Sequence, residues 1–307
     1  MAEFFQLFVS GLATGAIYAL VAVGFTLVWQ TSQTINFAQG DFVMLPAVLV
    51  LMAMNGLGLG MAHAGVLGIP IPPWAAFIVA SLLFLLMFGV GLKLMVVDPM
   101  LKHGVLPLAI ATMALSILMR EGAKEAFSAE GQRFPSLAPE GQAGNVSILG
   151  AVVSLQDILV FAVAVGAIIL LQLFITRTRT GRQMQATAQN PDVAKILGVP
   201  VQRMVMLTFL INAGLAIVAS YLISPIYLVK FSNGEVIGLA AFNAAIIGGF
   251  NQIRGAIAGG LIIGVVENFT ARYISTSYRA AFPLILLALV ILLKPEGLLG
   301  RKEERKV

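Results

Sequence analysis

The sequence predicts an all-α polytopic membrane protein, a single bundle of eight or nine transmembrane helices, and three observations carry that reading. Of its 307 residues 59% are hydrophobic and 11% charged, with a mean hydropathy of +0.95. A soluble globular chain carries about 25% charged residues. This one cannot clothe a water-facing surface and turns most of its exterior to lipid. The apolar residues also come in separate blocks, with no charge between Glu3 and Asp41 and none from Phe42 to Leu92. That makes a bundle of helices and not one anchor. Finally, Lys and Arg gather in short stretches between or after those blocks, where the positive-inside rule expects them. The net charge of +5 and pI of 9.6 therefore report membrane topology and do not point to nucleic acid. With no cysteine in the chain, thiolate metal sites and disulfides do not arise. Glu3 stands where a secretory signal would be basic, and the apolar run behind it is too long for one, so a retained first helix is expected.

The spans follow in order. Phe4 to Trp29 is the first, closing on an aromatic residue suited to the membrane interface. The polar stretch Gln30 to Thr34 leads into Ile35-Asn36-Phe37-Ala38-Gln39-Gly40-Asp41. The charge-free run that follows is too long for one helix, and Asn55 to Pro73, rich in Gly and Pro, divides it. A second span near Phe42 to Met54 and a third near Trp74 to Leu94 result. Lys93, Lys102 and His103 bracket a connection containing Asp98-Pro99, and a short fourth span, Val105 to Met119, is expected to be capped by Arg120. Residues 120–154 mix both charge signs with Pro and Gly and read as an external loop. A fifth span, Ile158 to Ile175, leads to residues 176–203, where Arg177, Arg179, Arg182, Lys195 and Arg203 face the single Asp192. That basic bias makes the loop cytoplasmic. The remaining spans are Met204 to Ile223, Val236 to Phe250, Gly255 to Thr270 and Ala280 to Leu293, before a basic tail with Arg301, Lys302, Arg305 and Lys306. Counting back from a cytoplasmic tail puts the N-terminus outside for nine spans, or inside if Ile35 to Met54 only re-enters the membrane.

Inside the spans, Gly11 and Gly15, Gly255 and Gly259, and Gly260 and Gly264 each stand four apart, and Gly248-Gly249 adds a pair. Small residues at that spacing let helix backbones approach where lipid supplies no hydrophobic drive, so they are expected to mark close packing. Glu267, beside Asn268, is the clearest intramembrane ionisable residue, with Asn212 and Asn243 in apolar spans and Asp41 at the border of the second. Such groups are costly in lipid and so usually have a role; for a carboxylate this close to a span end, bridging helices near the interface competes with a transport role. The two histidines, His63 and His103, are isolated, and no Gly-Lys dipeptide occurs, so there is no P-loop to cradle nucleotide phosphates. If transport here is driven by ATP, another polypeptide supplies the engine.

The loop 176–203 is the most informative segment. Asn190 is a good N-cap, Pro191 suits the first helical position, Asp192 complements the positive helix end, and Gly198 stops the helix with Pro200 just beyond. That spacing predicts a two-turn helix with Val193, Ile196 and Leu197 on one face, preceded by a second short helix from Gly181 to Gln189. A linker has little reason to show an apolar helix face to the cytoplasm. Docking on a partner protein gives it a place to go; packing on lipid headgroups is the alternative.

In Gly15-Ala16-Ile17-Tyr18-Ala19-Leu20 with Gly24, in Asn36-Phe37-Ala38-Gln39-Gly40, in Gly181 to Gly198, in Ala241-Phe242, Gly248-Gly249, Gly255-Ala256 and Gly259-Gly260, and in Pro295-Glu296-Gly297-Leu298-Leu299-Gly300, the chain resembles the LivH-type permeases of branched-chain amino acid ABC importers. The likeness runs over essentially the whole length. Pro46 departs from it, standing where the family usually has Gly after Met-Leu. The resemblance implies one permease domain over residues 1–307 in the bacterial cytoplasmic (inner) membrane, with a fold akin to the vitamin B12-type (type II) importer permeases. It implies a complex with a second, homologous permease subunit, two ABC ATPase subunits and an extracytoplasmic substrate-binding protein. ATP and Mg would be held by the ATPase subunits, with no cofactor in this chain. It further implies that Gly181, Ala186, Asn190, Pro191, Val193, Ala194, Ile196, Leu197 and Gly198 form the ATPase-coupling segment. Asn36, Gly40, Gly248, Gly249, Gly255, Gly259 and Glu267 would belong to the translocation path or its packing. Family members carry branched-chain and other amino acids, urea, amides and small aromatic acids. Two other classes compete. An ion-coupled secondary transporter should show two matching halves and a midplane ion site, and a membrane-embedded enzyme should show clustered His, Asp or Glu. Neither pattern is visible in the sequence.

Overall fold

A computed structural model describes residues 2–54, 72–126, 130–136, 144–148 and 151–300. Among these, six helices are long and apolar enough to cross a membrane: α1 (Ala2–Ser32), α3 (Pro73–Leu101), α4 (Val105–Ala126), α5 (Leu155–Arg177), α8 (Val201–Ile223) and α10 (Ile253–Tyr273). Three shorter apolar helices accompany them, α2 (Gln39–Met54), α9 (Asn233–Gly248) and α11 (Ala281–Leu293). At 1.5 Å per residue the 16-residue α2 and α9 reach about 24 Å, short of a hydrocarbon core about 30 Å thick. Two short polar helices, α6 (Arg179–Gln189) and α7 (Pro191–Ile196), lie between α5 and α8. All nine apolar segments expected from sequence are helical. His63, the basic tail, most of the 55–73 divider and parts of 120–154 lie outside the described residues.

Three expectations are corrected. Arg120 does not end the fourth span, because α4 continues to Ala126 and Arg120 is held there by carboxylates. The chain is not purely helical, since Asn145–Ile148 and Ala151–Ser154 form an antiparallel hairpin, β1–β2, directly before α5. And α3 does not stop near Leu94. It runs on through Asp98-Pro99 by widening into π-type turns over Leu85–Gly91 and Lys93–Val97. Those turns bring Lys93 onto Asp98, which neutralises the charge that had marked a loop.

The chain divides into two units, one of residues 27–135 and 169–238 and the other of 1–26, 136–168 and 239–307. In the first, one face of α2 (Met44, Val48, Leu51) is buried with Ala76 and Ala80 of α3, Ala123 of α4, Phe134 and Val229. Phe77, Phe134 and Tyr221 cluster beside it, with ring centroids 4.9–6.0 Å apart, Phe77 meeting the other two edge to face. Pro46 sits inside α2 without breaking it. The next amide, Ala47, donates to Ser220 Oγ of α8 at 3.1 Å, so a side chain serves the backbone where proline disturbs the helical ladder. Trp74, Ile78, Leu82 and Leu86 of α3 and Leu106, Ile110, Met113 and Ile117 of α4 form exposed apolar stripes at helical spacing. In water such stripes would be sites of aggregation; they suit a surface covered by lipid or by another membrane helix.

The second unit is assembled on glycine. Gly11 and Gly15 of α1 lie against Gly260 and Gly264 of α10 so closely that a methyl group on Gly264 would overlap the Gly15 backbone. Gly255 and Gly259 of α10 meet Gly248 and Ala244 of α9 in the same way. The Pro295–Gly300 motif closes the end of α9. Leu298 and Leu299 donate their amides to the Ile247 and Gly248 carbonyls at 2.8 and 3.0 Å, two of the acceptors a helix end leaves open. Gly249 (φ +110°) and Gly297 (φ +83°) supply the left-handed backbone this contact requires.

Candidate functional site

The segment between α5 and α8 is built by local hydrogen bonding. Thr178 caps α6, its Oγ1 accepting from the Gly181 amide at 2.9 Å. Gly181 is obligatory there, because a Cβ would meet the backbone of Phe174 and Ile175 as the chain folds back from α5. α6 buries Gly181, Met184 and Thr187 and half-buries Ala186, packing along α8. Asn190 ends α6 and begins α7, its Oδ1 accepting from Asp192 N at 3.1 Å and Val193 N at 3.0 Å, with Pro191 at the first helical position. At the other end Gly198 takes φ +81°, its amide reaching Lys195 O at 3.1 Å while that of Val199 reaches Ala194 O at 2.9 Å. That pair of bonds is a Schellman stop. Ala194 turns inward at 2% exposure, whereas Val193, Ile196 and Leu197 stand 49%, 84% and 74% exposed. The caps fix a two-turn helix whose apolar face has no cover among the described residues.

The polar residues of the first unit gather around the start of α2. Asn36 Oδ1 accepts from the Ala38 amide at 3.1 Å and shapes the turn into the helix. Gln39 and Asn212 of α8 exchange two hydrogen bonds of 2.7 Å, both residues fully buried. Gly40 lies against the backbones of Gly234 and Gly238, so α2 and α9 touch main chain to main chain. Next to it Asp41 accepts from Ser116 of α4 and lies 3.8 Å from Arg120 Nε, while Arg120 Nη1 reaches Glu235 of α9 at 2.5 Å. One guanidinium thus serves two carboxylates and ties three helices. A buried cation, Lys93, donates to Asp98 Oδ2 at 2.7 Å and to Gln202 Oε1 of α8 at 3.1 Å.

In the other unit Gly248, Gly249, Gly255 and Gly259 are helix and motif contacts, as above. Glu267, 5% exposed, accepts from Tyr18 of α1 at 2.8 Å and pairs with Arg279 Nε at 3.3 Å, so it bridges α1, α10 and the turn before α11. Asn36 and Gly40 belong to one unit and Glu267 and the four glycines to the other.

Sequence reasoning passed over Ser116 and Arg120 as partners of Asp41, Glu235 as the partner of Arg120, and Lys93 with Gln202. Of the Gln39–Asn212 pair only Asn212 left a usable signal, an amide isolated in an apolar span. Lys93 and Asp98 left none, because their separation of five matches no α-helical face.

The chain is similar to known proteins over nearly its whole length. The family model for the branched-chain amino acid transport system permease component matches residues 7–293. The chain is 34% identical over 307 residues to the high-affinity branched-chain amino acid transport system permease protein BraD of Pseudomonas aeruginosa, covering 99% of this chain and 98% of that protein. It is 31% identical over 314 residues to the corresponding LivH protein of Escherichia coli K12, with coverage of 99% and 98%. A more distant relative is the fructose import permease protein FruG of Bifidobacterium longum, 27% identical over 303 residues and covering 93% of this chain and 80% of that protein.

Proposed function

The chain belongs to the family of branched-chain amino acid transport permease components, a multi-pass protein of the bacterial inner membrane, and on that premise we propose what it carries and how it is driven. It is a membrane subunit of an ABC importer whose solute is a branched-chain amino acid or a closely related small polar molecule. The near full-length identity to BraD and LivH favours the amino acid over a sugar such as fructose. It forms half of the translocation pathway, beside a second homologous permease, with two ATPase subunits carrying ATP and Mg and a substrate-binding protein outside. Residues 1–307 act as one permease domain of eight or nine spans, of the vitamin B12 type, with 120–154 external and 176–203 cytoplasmic.

The single observation that carries the coupling assignment is α7, a helix capped at both ends whose Val193, Ile196 and Leu197 are exposed. Residues 181–198 seat that face in a groove of an ATPase subunit. Leu197→Asp would place an unpaired charge in the contact, costing about 3–5 kcal/mol there, without touching a membrane helix. The expected result is normal membrane expression, loss of ATPase subunits on purification and loss of uptake. Retention of both ATPase subunits and of full uptake would refute the assignment.

A further inference from the structure

Lys93 is 3% exposed and lies on a helix otherwise clad in lipid-facing apolar residues. An ammonium in such a place is costly unless it is paired, and Asp98 Oδ2 at 2.7 Å already pairs it. Its other partner, Gln202, is not needed for charge balance. It stands in the first turn of α8, four residues after the glycine that ends α7, and it accepts from Lys93 Nζ at 3.1 Å. The stretch Gly198-Val199-Pro200 leaves little slack between the two helices, with the Val199 amide bonded back to Ala194 O and the Val201 amide to Val199 O, both at 2.9 Å. Higher on the same pair of helices, Gly89 of the π-turned segment faces Leu210 of α8, where an added methyl group would come within 2.8 Å of Leu210 Cδ2. α3 is therefore joined to α8 at two levels, by shape at Gly89 and by charge at Lys93. The charged joint falls at the point where the coupling segment enters the membrane helices. π-type turns are strained variants of the helix that recur at functional positions. Here they are what brings Lys93 and Asp98, five residues apart, onto one another.

We propose that Lys93, held between Asp98 and Gln202, is the positioning residue that carries movement of the coupling segment out of α8 and into α3. The proposal rests on the coupling assignment of residues 181–198. Without this joint, α7 could move with its ATPase while α3 stayed behind. Nucleotide hydrolysis would then run without the helix movement that admits solute.

The test uses the complete importer in proteoliposomes, with ATP hydrolysis and leucine uptake measured on the same preparation. Lys93→Met removes the cation, Lys93→Arg keeps it, and Gln202→Ala, at an exposed position, removes only the α8 partner. Loss of a hydrogen bond to a buried charge corresponds to about a tenfold effect. Lys93→Met and Gln202→Ala are expected to keep the ATPase subunits and their hydrolysis but to raise the ATP spent per leucine imported by about tenfold, with Lys93→Arg near the wild-type ratio. A purely structural role would lower the yield of complex and leave the ratio per complex unchanged; that result overturns the proposal, as does loss of the ATPase subunits from Gln202→Ala. Leu197→Asp is run in parallel. If it loses its ATPase subunits while Gln202→Ala keeps the normal ratio, the docking assignment stands and the joint alone fails. If Leu197→Asp is normal in both respects, the docking assignment fails and the joint with it.

Discussion

Gln39 and Asn212 show how a single polar pair is kept in an apolar interior. Each amide offers the other one donor and one acceptor, and both bonds are 2.7 Å. Neither residue reaches solvent. Replacing one of them leaves a buried amide with nothing to bond, which costs about 1–3 kcal/mol; replacing both removes the need. Gln39→Leu and Asn212→Leu are therefore each expected to lower the thermal unfolding midpoint of the solubilised protein, and the double variant to recover part of the loss. Additive losses in that double-mutant cycle would mean the two side chains do not depend on each other. The glycines obey steric logic instead. Gly260 and Gly264 admit no side chain because α1 runs against them, and their four-residue spacing is visible in the sequence. What spacing does not reveal is the partner: that Gly15 meets Gly264 while Gly40 meets Gly234 and Gly238 follows only from the folded chain.

At the scale of elements, legibility depended on how local the cause is. The α7 cap, its proline, its glycine stop and its apolar face all lie within nine residues, and each was readable in advance because the hydrogen bonds close within the segment. The extension of α3 through Asp98-Pro99 was not. Charge and proline normally announce a loop, and only the i,i+5 geometry of a π-type turn lets Lys93 and Asp98 cancel within a continuing helix. Arg120 misled in the same way, since its neutralising partners Asp41 and Glu235 come from helices remote in sequence. The hairpin β1–β2 carried no signal beyond two short apolar runs. Orientation of the elements rests on the Lys and Arg excess in 176–203 and in the tail. The chain has no cysteine of its own, so single cysteines at positions 185 and 302 report cleanly in intact cells. Both are expected to resist a membrane-impermeant maleimide until the cells are permeabilised; labelling of either in intact cells would reverse the assigned sidedness.

For the whole molecule, stability rests largely on polar groups of the apolar interior finding partners within the protein. The Pro295–Gly300 motif closes the carbonyls of α9, Ser220 serves the backbone beside Pro46, and Glu267 is held by Tyr18 and Arg279. No phosphate-binding loop occurs anywhere in the 307 residues, so transport driven by ATP would draw its energy from another polypeptide. The most direct test of that claim is leucine uptake into proteoliposomes, comparing the isolated chain with the complete importer, with and without internal nucleotide and with ion gradients collapsed. The account predicts no ATP turnover by the isolated chain, and import by the complete importer that requires ATP and survives loss of the gradients. Import by this chain alone, driven by an ion gradient without ATP, would contradict it.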